Sequence, residues 1–176
     1  MGDTLITVIA IGLAAVLMFV FPLMTMSDRT DDIAQLAVET ATTEFVDKIR
    51  STGKITKGNY DKFLETITST GNTYNIEMEL KVKDENLGKK TTQADSDKIG
   101  EGAYYSIYTS QIEKELAKSD NNGTYYCKEG DIVSVRVKNT NQTISQQLKN
   151  FFYTVTGNDA YTIAAEHAGV VTANGK

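Results

Sequence analysis

The segment that decides the fold is Leu5–Met24, which reads LITVIAIGLAAVLMFVFPLM and carries no charged residue. A helix of about 20 residues rises about 30 Å, which matches the hydrocarbon core of a bilayer. We therefore predict a transmembrane anchor over residues 1–26. A cleaved secretory signal is the alternative, but Met1–Thr4 lacks the expected Lys or Arg and no A-x-A-like cleavage site follows the apolar run.

Residues 27–52 predict an amphipathic helix that continues the anchor. Apolar residues recur on one side of this segment, with the polar Gln35, Glu39 and Asp47 on the other. Gly53 is a typical helix stop, and no strong breaker lies between Pro22 and Gly53. The predicted apolar stripe consists of Ile33, Ala34, Ala37, Val38, Ala41, Phe45 and Ile49.

Three further helices are predicted. Thr56 can cap a short helix that buries Tyr60, Phe63, Leu64 and Ile67 and stops at Gly71. A third helix is expected over Tyr104–Lys118, on a stripe of Tyr104, Tyr108, Ile112 and Leu116. Thr143-Ile144-Ser145-Gln146 is a capping-box pattern that opens a fourth.

Strict apolar and polar alternation predicts strands at Tyr74–Lys83 and Ile132–Lys138, and a weaker one at about Tyr161–Val171. Each clean alternation indicates one buried and one solvated face, which favours an antiparallel sheet over parallel βαβ crossovers. The fold class is therefore α+β. We expect the long N-terminal helix, transmembrane and then amphipathic, to pack on a small, mainly antiparallel sheet of about three strands within a soluble head over residues 27–176.

Residue types that carry chemistry are sparse. The formal net charge is −5 and the charges are interleaved, which argues against a nucleic-acid partner. His167 and Cys127 are each the only residue of their type. Asp95-Ser96-Asp97 begins like a calcium loop, but Ile99 stands at the fifth position, which needs an oxygen ligand, and Ser106 at the twelfth, which needs a bidentate Glu. We predict no catalytic residue, no cofactor and no metal, and hence a chain that is not an enzyme.

Small residues in the anchor are the candidate assembly site. Ala10 with Ala14, and Gly12 with Ala15, lie one helical turn apart. Small side chains let a second membrane helix approach closely. Alanine and glycine are also simply common in membrane helices, and this alternative stays open.

The layout resembles that of type IV pilins and pseudopilins, in which an N-terminal membrane helix runs into an amphipathic helix and a small α+β head. Residues 45–56 (FVDKIRSTGKIT), then Tyr60, Phe63, Leu64 and the segment 70–74 (TGNTY), are similar to minor pseudopilins of tight-adherence (Flp) pilus systems of Gram-positive type. The N-terminus departs from the pattern of this class, whose members have a Gly and, a few residues later, a Glu. In this chain Asp3 follows Gly2, and Thr7 occupies the position where the Glu is expected.

The resemblance implies a structural subunit of a surface pilus or secretion assembly. Its partners would be membrane lipid and other pilin-like subunits, which it contacts through the N-terminal helix. The head would then lie outside the cell membrane, although Arg29 alone slightly favours a cytoplasmic head. The alternative function is a membrane-anchored, extracytoplasmic domain that binds a ligand or a protein, through the long polar loop of residues 84–102 and the tyrosines.

Overall fold

The computed structural model of the chain describes residues 2–84, 104–118, 122–144, 146–147, 150 and 162–176. Within them, helices and strands follow one another in a mixed order. The elements are α1 (Gly2–Thr52), β1 (Lys54–Thr56), α2 (Lys57–Thr68), β2 (Tyr74–Lys83), β3 (Tyr104–Tyr108), α3 (Thr109–Leu116), β4 (Thr124–Tyr126), β5 (Ile132–Asn139) and β6 (Ala164–Val170).

The anchor and the amphipathic segment form one continuous helix, α1, as predicted. Pro22 lies inside it, where the missing N–H removes one helical hydrogen bond. The helix ends as expected at Gly53, which has φ +66° and donates its N–H to the Ile49 carbonyl at 2.8 Å. A Cβ at Gly53 would collide with the backbone of Ala173 and Gly175, so the chain leaves α1 through a gap that only glycine fits.

All described strand pairs are antiparallel, in agreement with the alternation in the sequence. The prediction of about three strands was too low. Four strands form the main sheet in the order β3-β2-β5-β6, and β1 pairs with β4 in a separate two-stranded sheet. The three-residue strands β1 and β4 are too short to show alternation, and for that reason the sequence pattern missed them.

The hydrophobic core lies between the main sheet and the second half of α1. Val38, Val46 and Ile49 are fully buried on the helix, and Val133, Val135 and Val137 are their counterparts on β5. The buried face of α1 differs from the predicted apolar stripe at three residues. Ile33 is exposed, whereas Thr42 and Val46, which were not part of the predicted stripe, are buried.

Helix α2 closes the side of the core next to α1. The ring of Phe45 stacks on Phe63 with centroids 4.6 Å apart, and Tyr60 lies 6.1 Å from Phe45. Thr56 caps the helix by accepting a hydrogen bond from the Asn59 N–H at 3.2 Å, which confirms the predicted cap. Of the predicted stripe, Tyr60, Phe63 and Ile67 are buried and Leu64 is half-buried.

The helix predicted over Tyr104–Lys118 was wrong in its first part. Tyr104–Tyr108 is strand β3, and α3 begins only at Thr109. The spacing of Tyr104, Tyr108 and Ile112 fits a helix, but aromatic and β-branched residues also favour strands, and pairing with Lys83–Glu79 of β2 decides the outcome. Ile112 and Leu116 are buried as expected.

The C-terminal part agrees with the sequence where it is described. Thr143 and Gln146 form the predicted capping box, since the Gln146 N–H donates to Thr143 Oγ1 at 3.2 Å and the Thr143 N–H to Gln146 Oε1 at 3.1 Å. The last strand is shorter than predicted, because β6 begins at Ala164 rather than Tyr161. The proposed loop of residues 84–102 lies outside the described residues, apart from Asp84.

Candidate functional site

The first half of α1 is the most prominent candidate surface. By length and composition, α1 is the one helix among the described residues that is apolar enough to cross a membrane. The head covers none of the residues in the most apolar stretch of α1. Large apolar side chains on every side of the helix are exposed, from Leu5 to Leu23, as expected for a segment with no partner in its own fold.

The four predicted assembly residues all lie on this exposed stretch, but they do not form one face. At about 100° per residue, Ala10 and Ala14 lie about 40° apart on one side of α1. Gly12 and Ala15 lie about 60° apart on nearly the opposite side. The helix therefore brings the residues together in two separate pairs, so a single partner helix contacts at most one pair closely.

An apolar stripe, formed by Met26, Ile33 and Leu36, continues beyond the apolar segment Leu5–Met24. Met26, Ile33 and Leu36 are 67%, 69% and 65% exposed, and the last two remain so although α1 packs on the head from Asp31 onwards. Leu36 lies twelve residues after Met24, and therefore about 18 Å beyond the apolar segment. Bilayer hydrocarbon does not reach that far, so lipid alone does not account for the stripe.

On the side away from the apolar stripe, α1 is hydrogen-bonded to the outer edge of β6. The side-chain amide of Gln35 donates to the Ala164 carbonyl at 2.7 Å and accepts from the Ala164 N–H at 3.0 Å. Arg50 Nε donates to the Val170 carbonyl at 3.2 Å. A Cβ at Gly169 would collide with the Arg50 side chain, so glycine is needed there for this crossing. Helix and strand thus run side by side in the same direction.

The outer face of the main sheet carries a cavity of about 410 Å³. Glu77, Glu79 and Tyr108 line it, opposite Arg136 and Glu166. Arg136 is held by Glu166 through contacts of 2.8 and 2.9 Å, and this partner raises the pKa of the Arg136 guanidinium. Both side chains are more than half exposed, so the ion pair adds little stability.

Glu77 and Glu79 lie on the polar face of the strand predicted at Tyr74–Lys83, and both line this cavity. Glu79 accepts a hydrogen bond from Ser106 Oγ at 2.7 Å, and Glu77 one from the Asn75 amide at 3.1 Å. The arrangement can hold a small polar or cationic group through its carboxylates. The register of the strands reveals this cavity, whereas the sequence alone did not.

The buried titratable groups are structural. Burial, assisted by the charge of Asp131, raises the pKa of the Cys127 thiol to about 12, so the thiol is protonated and a poor nucleophile at neutral pH. Burial also raises the pKa of Tyr60, whose hydroxyl donates to Glu113 Oε1 at 2.7 Å. The pKa of Tyr125 is raised for the same main reason. Cys127 is therefore an ordinary packed side chain.

His167 is a residue of β6, as the sequence indicated, and its Nε2 lies 3.5 Å from Asp47 Oδ1 on α1. In the described part of the chain no three His, Cys, Asp or Glu side chains are grouped to hold a metal ion. Asp95 and Asp97, where a calcium loop was considered, lie outside the described residues, and the absence of a metal there stays a prediction.

Comparisons with known proteins place no constraint on the function, since no protein-family model, curated protein or solved structure matches the chain.

Proposed function

We propose that the chain is a structural, pilin-like subunit of a surface pilus or secretion assembly, held in the cell membrane by α1, with its head outside. The apolar stripe of Met26, Ile33 and Leu36 carries this proposal. An anchor that only holds a binding domain needs no exposed apolar side chains at Ile33 and Leu36, which lie about 14 and 18 Å beyond the apolar segment. A helix that packs against the α1 helices of neighbouring subunits does need them.

The stripe also selects between the two pairs of small residues in the anchor. At 100° per residue, Ala15 and Gly12 lie about 10° and 70° from the mean direction of the stripe, whereas Ala14 and Ala10 lie about 90° and 130° away. The face of Gly12 and Ala15 is therefore the proposed contact with a neighbouring helix, which approaches closely where side chains are small. The face of Ala10 and Ala14 would remain towards lipid or a second neighbour.

Cysteine cross-linking in the membrane tests the proposal. In cells that produce the full chain, mild oxidation should yield disulfide-linked dimers of the Ile33→Cys variant. Asp32→Cys is the matched control, because Asp32 is also exposed but lies about 100° around the helix from Ile33. Native Cys127 is buried and should not contribute. Equal cross-linking of the two variants would show that the stripe is not a specific contact.

Surface assembly is the second measurement. We expect Gly12→Leu and Leu36→Lys to abolish filaments in sheared surface material, while Ala10→Leu retains them. All three substitutions fall on exposed positions and should leave the head folded. A head that is protected from protease added to intact cells would be cytoplasmic, and would rule out the proposal.

A membrane-anchored binding domain is the second candidate, and the cavity of about 410 Å³ on the outer sheet face favours it. Its carboxylates and Tyr108 would hold a small cationic or polar ligand. Under this alternative, binding to the detergent-solubilised chain is saturable and is weakened by Glu79→Gln. The predictions of no catalytic activity and no nucleic-acid partner apply to both candidates.

A further inference from the structure

Two segments of the chain match Asn-x-Ser/Thr, the acceptor motif for N-linked sugars. They are Asn122-Gly123-Thr124 and Asn141-Gln142-Thr143. A three-residue motif recurs by chance, so the surroundings of each asparagine decide whether a sugar fits there. Both motifs lie within the described residues, and their surroundings differ.

The second motif is engaged in the packing of the head. Asn141 is half-buried, and its side-chain amide donates to Asn72 Oδ1 at 3.0 Å and accepts from the Thr73 N–H at 2.8 Å. The Thr143 hydroxyl donates to Asp31 Oδ2 at 2.7 Å. A sugar on Asn141 Nδ2 would displace the bond to Asn72, and recognition of the Thr143 hydroxyl would break its bond to α1.

The first motif lies on an exposed turn directly before β4. Asn122 is exposed, and its side-chain amide makes no hydrogen bond to the described residues. Asn122 and Gly123 have φ of +51° and +62°, the left-handed conformation of a tight turn. The Lys57 N–H donates to the Gly123 carbonyl at 2.8 Å, which holds the turn against the start of α2. The structure therefore presents the Asn122 side chain to solvent.

The two motifs also lie at opposite ends of the head. Thr52, at the end of α1, lies about 42 Å beyond Met24 along one continuous helix. Thr124 pairs with Thr56, which follows soon after Thr52, so the first motif lies at the end of the head away from the apolar segment. The second motif is bonded to Asp31, only about 10 Å beyond Met24.

We propose that Asn122 is an N-glycosylation site whose glycan projects from the membrane-distal end of the head. The donor is an oligosaccharide carried on a lipid pyrophosphate, and a transferase catalyses the step. Asn122 Nδ2 forms a bond to the anomeric carbon, and the bond from that carbon to the pyrophosphate breaks. The lipid pyrophosphate leaves with the electron pair, and the amide loses one proton to a base of the transferase. The glycan makes the distal surface more hydrophilic and leaves the stripe on α1 clear.

Recognition of Thr124 needs only a local opening. Thr124 is buried, but among the described residues its hydroxyl makes one contact, a long one of 3.5 Å to the Asn122 carbonyl. Strand β4 has three residues and belongs to a two-stranded sheet, and such elements open at low cost. The inference rests on the proposed function only in requiring the head to lie outside the cell.

Peptide mass spectrometry tests the inference on the full chain, purified in detergent from the cells that naturally produce it. Trypsin cleaves after lysine, so the two motifs fall in separate peptides, residues 119–128 and 139–149. We expect a glycan on peptide 119–128 and none on peptide 139–149. An unmodified peptide 119–128, or a glycan on peptide 139–149 instead, would overturn the inference.

Two substitutions of Thr124 form a matched pair. Thr124→Val removes the hydroxyl but keeps a similar shape, and it should abolish the glycan although Asn122 is unchanged. Thr124→Ser retains the hydroxyl and should retain the glycan. Circular dichroism establishes that both variants are folded. A glycan that persists in the valine variant would contradict recognition of this motif.

Protease added to intact cells separates a failure of the inference from a failure of the proposed function. An accessible head with an unmodified peptide 119–128 would overturn the inference alone. A protected head would overturn both.

Discussion

Replacing Gly53 by alanine should destabilise the head well beyond the ordinary cost of a glycine substitution. Gly53 and Gly71 both have positive φ, +66° and +80°. In either place an L side chain costs about 1–2 kcal/mol in the left-handed conformation. A Cβ at Gly71 has open space around it, whereas one at Gly53 would strike the backbone of Ala173 and Gly175.

The additional cost at Gly53 follows from what the tail must give up when it moves. The Gly175 N–H donates to the Cys127 carbonyl at 3.0 Å, and the Cys127 N–H donates to the Gly53 carbonyl at 2.8 Å. Each buried backbone hydrogen bond contributes about 0.5–1.5 kcal/mol. Gly53→Ala should therefore cost about 2–5 kcal/mol in total, compared with about 1–2 kcal/mol for Gly71→Ala.

The assay is thermal unfolding of the detergent-solubilised full chain, followed by near-ultraviolet circular dichroism of the tyrosines. Unfolding of the head should be separable from loss of helix in the anchor, which detergent protects. For a domain of about 150 residues, each kcal/mol lowers Tm by about 2–4 °C. Equal shifts for the two alanine variants would refute the reasoning, because they would show that the tail does not press on Gly53.

Three further results are expected. Phe45→Ala should cost about 3–5 kcal/mol of stability, since Phe45 is buried and stacks on Phe63. Leu36→Ala, on the exposed stripe, should change stability by less than about 0.5 kcal/mol, and urea unfolding of both variants checks these values. The pKa values of Tyr60 and Tyr125 are raised in the folded state, which favours their protonated forms. The free energy of unfolding should therefore be retained up to about pH 10 and fall above it. Absorbance at 295 nm should show these tyrosines ionising only as the head unfolds. Cys127, buried and with its pKa raised to about 12, should resist a thiol reagent at pH 8 until denaturant is added, and rapid labelling of the folded chain would contradict its burial.

Residue patterns predicted those parts of the fold in which one local signal agreed with the final packing. The uncharged run of Leu5–Met24 predicted the first half of α1, and alternation predicted β2 and β5. Caps at Thr56 and Thr143 also followed directly from sequence. Each of these features depends on contacts between residues close together in the chain, or on one dominant face.

The remaining features depend on distant pairing. Tyr104–Tyr108 fits helical spacing until β2 is placed beside it, and no local rule ranks one outcome above the other. Ile33 belongs to the apolar stripe by its spacing, yet the sheet contacts a face of α1 that leaves it outside. Likewise, the cavity beside Glu79 exists only because four strands bring their polar sides together.

The attachment of α1 to β6 has a mechanical consequence. Helical structure extends without interruption from the apolar segment to Thr52, and Gln35 and Arg50 fix its upper half to the sheet at both ends of one strand. Torque or tension applied to the apolar end would therefore be transmitted to the head through a continuous helix, in which Pro22 is a point of lower stiffness. In the proposed membrane-anchored subunit, the tilt of α1 would set the direction in which the head faces.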